Sequence, residues 1–348
     1  MEKLPILTVT RNELRDFLAD IIKSKRFDVR GPVHENEGYA FRSVEKPSEI
    51  DLDYDRAYFS PVKEVLLPPN EVMLRYDGRS FVPVVDTRKT MLVGVHPYDI
   101  KAMLVTDAIY AEGEHPDPGY CSRRSDLVII GLDVKVPPED SFCESVGAHT
   151  VSEGYDMMLT DISGGMFVAE VGSSEGAYLA GYYLKTGRQA TEAELLAREK
   201  ARENAAKNYP AKLPLKPEEL PALLEANLDA PYFKQNMERC IACGNCTKVC
   251  PTCMCYTVED RVALDGAGER IRQCSSCMFK CAAEVGGGHN FRPSPKDRAL
   301  NRLRDKVEFI PKEHGIFGCV GCGRCAVCPA GIAHLSDVFQ ELLETEKK

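Results

Sequence analysis

Residues 240–251 read CIACGNCTKVCP, and residues 319–329 read CVGCGRCAVCP. Each run spaces three cysteines two residues apart and sets a fourth just before proline. The runs are Cys240, Cys243, Cys246 and Cys250-Pro251, then Cys319, Cys322, Cys325 and Cys328-Pro329. A cubane [4Fe–4S] cluster needs four thiolates closing on one compact core, and a tight C-x2-C-x2-C loop supplies three of them. In paired runs the cysteine before proline reaches over to the other cluster. The spacing predicts one cluster on Cys240, Cys243, Cys246 and Cys328, and another on Cys319, Cys322, Cys325 and Cys250. Structural zinc, the main rival, is usually gripped by two separated C-x2-C pairs. An unbroken C-x2-C-x2-C followed by C-P fits the cubane better.

The second run departs from the pattern. Two residues separate Cys325 from Cys328, where three are usual. Cys328 reaches across only if the turn after Cys325 tightens. Otherwise the cluster on Cys240, Cys243 and Cys246 takes another fourth ligand or is a three-iron form. The cluster on Cys319, Cys322 and Cys325 does not depend on that spacing.

Five further cysteines lie in the same region. Cys253 and Cys255 are spaced i, i+2, so an extended segment points both thiols one way; Cys274, Cys277 and Cys281 form one stripe if helical. They admit two readings. One is a third [4Fe–4S] cluster on Cys253, Cys255 and Cys277, completed by His289 (after Gly286-Gly287-Gly288), Cys274 or Cys281. The other is packing in the core, since free cysteine is among the most buried residues. The basic segment Arg292–Lys306 would stabilise the reduced form of an anionic cluster, dock a partner, or simply face solvent on a helix. The two outlying cysteines are Cys121 and Cys143; the latter reads as a buried thiol rather than a ligand.

At 348 residues the chain is too long for such a metal module alone. Its apolar fraction of 44% and charged fraction of 28% are those of an ordinary globular protein. No stretch reaches membrane-span length, and MEKLPILTVTRNEL lacks the pattern of a signal peptide. A cytoplasmic location is expected, where cysteines so spaced hold metals rather than forming disulfides. The net charge of −9 divides into −11 before Asn236 and +2 from there on, and the acidic N-terminal part disfavours nucleic acid as a partner.

The expected fold class is α+β: an N-terminal α/β domain followed by a bacterial-type two-[4Fe–4S] ferredoxin-like domain with a helical insertion. Apolar spacing predicts a helix over Arg11–Ser24. The apolar runs Thr90–His96 and Asp126–Leu132 read as buried strands, and the helical pattern of Pro97–Tyr110 between them makes a βαβ unit. Tyr155–Ile162 and Met166–Val171 flank Ser163-Gly164-Gly165 as a hairpin. Helices are expected at Glu175–Thr186, Thr191–Asn208 and Ala333–Leu343. Five prolines among 209–235 read as a stiff connector between a scaffold or docking domain (1–208) and the cluster domain (236–348).

No G-x-G-x-x-G joins a strand to a helix, no P-loop is present, and the cysteine pairs of a nickel–iron catalytic subunit are absent. Electrons can be moved, but neither a donor site nor an acceptor site is visible. The economical reading is an electron-transfer subunit within an oxidoreductase complex, with no catalytic residues of its own. The competitors are a stand-alone redox enzyme and a redox sensor.

The run from Cys240 to Cys255 (CIACGNCTKVCPTCMC), Cys274-Ser-Ser-Cys277, Gly287-Gly-His-Asn-Phe-Arg-Pro293 and Cys319–Cys325 resembles one group of iron–sulfur proteins. These are the beta subunits of cytosolic sulfhydrogenase-type nickel–iron hydrogenases and the A subunit of anaerobic sulfite reductase. Related subunits occur in heterodisulfide-reductase-type bifurcating complexes. The likeness extends more weakly to Gly94-Val-His-Pro-Tyr-Asp99 and Phe142-Cys-Glu-Ser-Val-Gly147. It implies a relay through [4Fe–4S] clusters between a flavin- and NAD(P)H-binding subunit and a catalytic subunit, most readily a nickel–iron hydrogenase. Cys281 and the lack of further cysteines around Cys143 depart from the group's pattern.

Overall fold

The structure is a computed structural model describing residues 4–85 and 88–346. In chain order the strands are β1 (Ile6–Thr10), β2 (Asp28–Glu35), β3 (Gly38–Ser43), β4 (Asn70–Tyr76), β5 (Phe81–Pro83) and β6 (Thr90–Val95). They continue with β7 (Leu127–Leu132), β8 (Met157–Asp161), β9 (Met166–Val171), β10 (Arg188–Gln189), β11 (Tyr256–Val262) and β12 (Gly268–Cys274). Eight of them form a sheet of order β10-β1-β9-β8-β7-β6-β2-β3. Its middle, β2 to β8, is parallel, and antiparallel pairs flank it.

The expected βαβ unit is present. Every residue of β6 and β7 is buried, and the helix Pro97–Tyr110 links them. Strands covered on both faces need no polar alternation, which explains their continuous apolar runs. The helix Arg11–Ser24 starts from a capping box in which Thr10 and Glu13 satisfy each other's backbone amides, and it buries Leu14, Phe17, Leu18 and Ile21. The β8–β9 hairpin turns at Ser163, Gly164 and Gly165, all with positive φ.

A second sheet, of order β11-β12-β4-β5, joins distant parts of the chain. β12, from the cysteine-rich region, pairs with β4, nearly two hundred residues earlier. Buried ion pairs reinforce the seam: Arg272 meets Glu71 and Asp117, and Arg123 meets Glu71 at 2.6 Å. The proline-rich stretch, expected as a connector, instead carries the helices Leu220–Ala226 and Pro231–Glu238. Pro221 and Pro231 sit in the first turns of these helices, where a missing N–H costs nothing. Leu220, Leu223, Leu224 and Phe233 are buried in the core under the cysteine loops. No helix among the described residues is long and apolar enough to cross a membrane.

Candidate iron–sulfur centres

The two cysteine loops share one backbone device. Ala242 and Gly244 have φ of 56° and 77°, and their counterparts Gly321 and Gly323 have 66° and 74°. Left-handed residues at these two places curl each loop so that its amides face inward. The Ala242 N–H donates to Cys240 Sγ and the Gly321 N–H to Cys319 Sγ, both at 3.4 Å. Such amide–sulfur contacts favour thiolate over thiol.

The fourth thiol of each run stands beside the opposite loop. Cys328 lines one cavity with Cys240, Cys243 and Cys246, and its charge adds to the upward push on the Cys240 and Cys246 thiols that burial begins. Cys250 stands beside the other loop. Burial raises the Cys319 thiol to about 12 and also raises Cys322 and Cys325, and the Cys250 sulfur adds to all three. Metal binding must therefore drive proton release at this set. The short second run is accommodated by its helix type. Arg324–Val327 is a 3₁₀ turn closed by the Cys328 N–H on the Cys325 carbonyl at 3.2 Å, whereas Asn245–Lys248 in the first run is α-helical. A 3₁₀ turn uses fewer residues per revolution, so Cys328 is redirected with one residue less.

The helix Pro295–Arg304 and the π turn Asp305–Phe309 aim Arg298, Arg302 and Lys306 inward as an i, i+4, i+8 stripe. This answers the choice left by the basic segment: the stripe is not a solvated face. Arg302 lines the cavity of the first thiol set, donates to the Ala333 carbonyl at 2.9 Å, and leaves its buried Nε without a partner. The sulfurs of Cys246, Cys325, Cys253 and Cys250 are the groups that act most on its charge. Lys306 Nζ donates to Thr252 O at 3.0 Å and Oγ1 at 2.7 Å, beside Cys250, Cys253 and Cys319. Among the described residues neither cation has a carboxylate ion pair. An uncompensated buried cation costs several kcal/mol, on the order of an unpaired buried charge. Two anionic, thiolate-ligated clusters would supply the missing charge, so the residues present fit that group.

The N-terminal region walls in the second loop. Arg324 forms two 2.8 Å hydrogen bonds with the Asp99 carboxylate and a third with the Ala57 carbonyl. Arg56 donates to the Cys322 carbonyl, Lys63 to the Cys250 carbonyl, and the Phe142 N–H to Gly321 O. A Cβ at Gly321 would strike the Phe142–Cys143 backbone, so only glycine allows this approach. Cys143 is fully buried next to Cys322 and Cys319. Arg56 and Lys63 carried no sequence signal. Asp99 and Phe142–Cys143 did carry one: they lie in the two N-terminal motifs of the weaker likeness, and these are the segments that meet the loop.

Of the remaining candidates, Cys253 stands beside Cys250, and Cys255 beside Cys277. Cys274 is exposed but shares a cavity with Cys253 and Cys255. Cys281 and His289 are exposed outside that cavity, His289 lying edge-on to Phe291. Among the described residues no three His, Cys, Asp or Glu side chains close tightly enough to grip a single metal ion.

Residues 239–332 match the model of the 4Fe-4S dicluster domain family. The chain is also 36% identical over 317 residues to the sulfhydrogenase 2 subunit beta of Pyrococcus furiosus, covering 91% of this chain and 92% of that protein.

Proposed function

The chain belongs to the sulfhydrogenase beta-subunit family, an iron–sulfur electron-transfer subunit, and from that we propose a relay role inside a cytoplasmic oxidoreductase complex. In this reading Cys240, Cys243, Cys246 and Cys328 hold one [4Fe–4S] cluster, and Cys319, Cys322, Cys325 and Cys250 hold the other. When bound, such clusters take up and release single electrons. The donor is a flavin- and NAD(P)H-binding subunit and the acceptor a nickel–iron catalytic subunit.

The observation that supports the reading is that Cys328 lines a cavity with the Cys240 loop and Cys250 stands beside the Cys319 loop, with buried Arg302 acting on sulfurs of both sets. Exchange ties the two sites into one rigid unit. The cations offset negative charge at both, and the wall of Asp99, Arg56 and Lys63 keeps water from the second. Exposure of the Cys243 thiol and of Ile241 (67%) makes the first loop the accessible one. Residues 1–208 serve as the scaffold of the second site.

Anaerobic purification of the native complex tests this reading. The expected result is co-purification with a flavoprotein and a nickel–iron subunit. Co-purification with a sirohaem or heterodisulfide-reducing subunit would move the chain to the neighbouring groups. A chain isolated alone that turns over a substrate with NAD(P)H would defeat the relay.

A further inference from the structure

We propose that Cys253, Cys255, Cys274 and Cys277 hold a third [4Fe–4S] cluster, at the end of the relay away from the exposed Cys243. This deepens the relay reading and rests on it.

The β11–β12 hairpin builds the site. Cys255 immediately precedes β11, and Cys274 is the last residue of β12. The register places Tyr256 opposite Cys274, and the Ser275 N–H donates to the Cys255 carbonyl at 2.9 Å. Closing the hairpin therefore lays Cys253-x-Cys255 alongside Cys274-x2-Cys277. Cys277 stands beside Cys255. Cys253, Cys255 and Cys274 line one cavity with Lys63, Tyr110 and Arg272.

Simple packing does not account for this arrangement. Buried thiols pack among apolar groups, yet this cavity holds the Lys63 ammonium, which has carbonyl but no carboxylate partners among the described residues, and one of its thiols is exposed. A cation beside these cysteines suits a site whose ligands are thiolates. The geometry also chooses among the candidates. Cys274 lines the cavity with Cys253 and Cys255, and buried Cys277 stands beside Cys255, whereas Cys281 and His289 are exposed outside it.

The site adjoins the second thiol set, because Cys253 stands beside Cys250. The order is then the Cys240 loop, the Cys319 loop and the hairpin site, with surface access at Cys243 and at Cys274.

The test is iron and acid-labile sulfide per chain in the anaerobically purified full chain, with EPR of the reduced protein. About twelve irons are expected. Cys255→Ala with Cys277→Ala should lose about four of them while the signals of the other two clusters persist, which also shows that the variant is folded. Cys274→Ala should lose the same cluster or convert it to a three-iron signal, and Cys281→Ala and His289→Ala should change neither iron nor spectrum. About eight irons in the wild type, or zinc in this site, would overturn the proposal and leave the two-cluster relay standing. Wild-type protein without iron at either cysteine loop would instead sink the relay reading beneath it.

Discussion

Arg324 and Asp99 meet through two parallel 2.8 Å hydrogen bonds, with side chains only 2% and 1% exposed. Asp99 opens the helix Pro97–Tyr110 of the βαβ unit, and Arg324 lies between Cys322 and Cys325. One buried ion pair thus fastens the N-terminal sheet to the second cysteine loop. Removing either partner strands a buried charge, which costs about 3–5 kcal/mol. Asp99→Ala and Arg324→Leu should each destabilise by about that much in anaerobic denaturant unfolding. The double variant should cost clearly less than the two added together.

Exchange of the fourth thiols predicts which cluster each variant damages. Cys328→Ala should perturb the EPR signal of the cluster on the Cys240 loop, and Cys250→Ala that of the cluster on the Cys319 loop. Damage confined to the loop containing the mutated cysteine would show that the ligands are not exchanged.

Arg302 brings a buried positive charge toward sulfurs of both sets. Arg302→Met should make reduction harder at the nearby clusters. The expected change is on the order of tenfold in the one-electron equilibrium, or about 59 mV toward negative potential. EPR-monitored redox titration reads this directly. An unmoved midpoint would leave Arg302 a packing residue.

His96 predicts a pH effect on folding. Its ring stacks on Tyr54 at 4.4 Å, and Nδ1 bonds the Leu132 carbonyl at 2.9 Å. Burial holds its pKa below the ordinary 6.5, outweighing the Leu132 bond and the nearby Asp99. The unfolded chain therefore binds the proton more readily than the folded one. Stability from this group is present above about pH 6.5 and is lost as pH falls below it toward the depressed folded value. Unfolding midpoints between pH 5 and 7.5 should fall with acidification more steeply in the wild type than in His96→Gln.

Several elements were legible because their signals are local. The helix Arg11–Ser24 has a capping box and one apolar stripe, β6 and β7 are short apolar runs, and the cysteine spacing carries its own geometry. The second sheet was not legible. All seven residues of β11 are exposed, so it shows no alternation, and β4 finds its partner nearly two hundred residues away. The prolines after residue 208 misled for a related reason. They break helices in the interior but begin them at the first turn, and only the burial of Leu220, Leu224 and Phe233 decides between the two. The short spacing before Cys328 was legible, but the 3₁₀ turn that Arg324–Val327 forms there was not. Arg56 and Lys63 act through contacts that no short motif encodes.

In the proposed relay, electrons pass through this chain between two other subunits. Its most direct test compares two hydrogen-evolution rates in the native complex carrying Cys250→Ala and Cys328→Ala. One rate is driven by NAD(P)H, and the other by a reduced viologen that feeds the catalytic subunit directly. The relay predicts that the NAD(P)H-driven rate collapses while the viologen-driven rate persists. Retention of the NAD(P)H-driven rate in a complex shown by iron analysis to lack these clusters would contradict it.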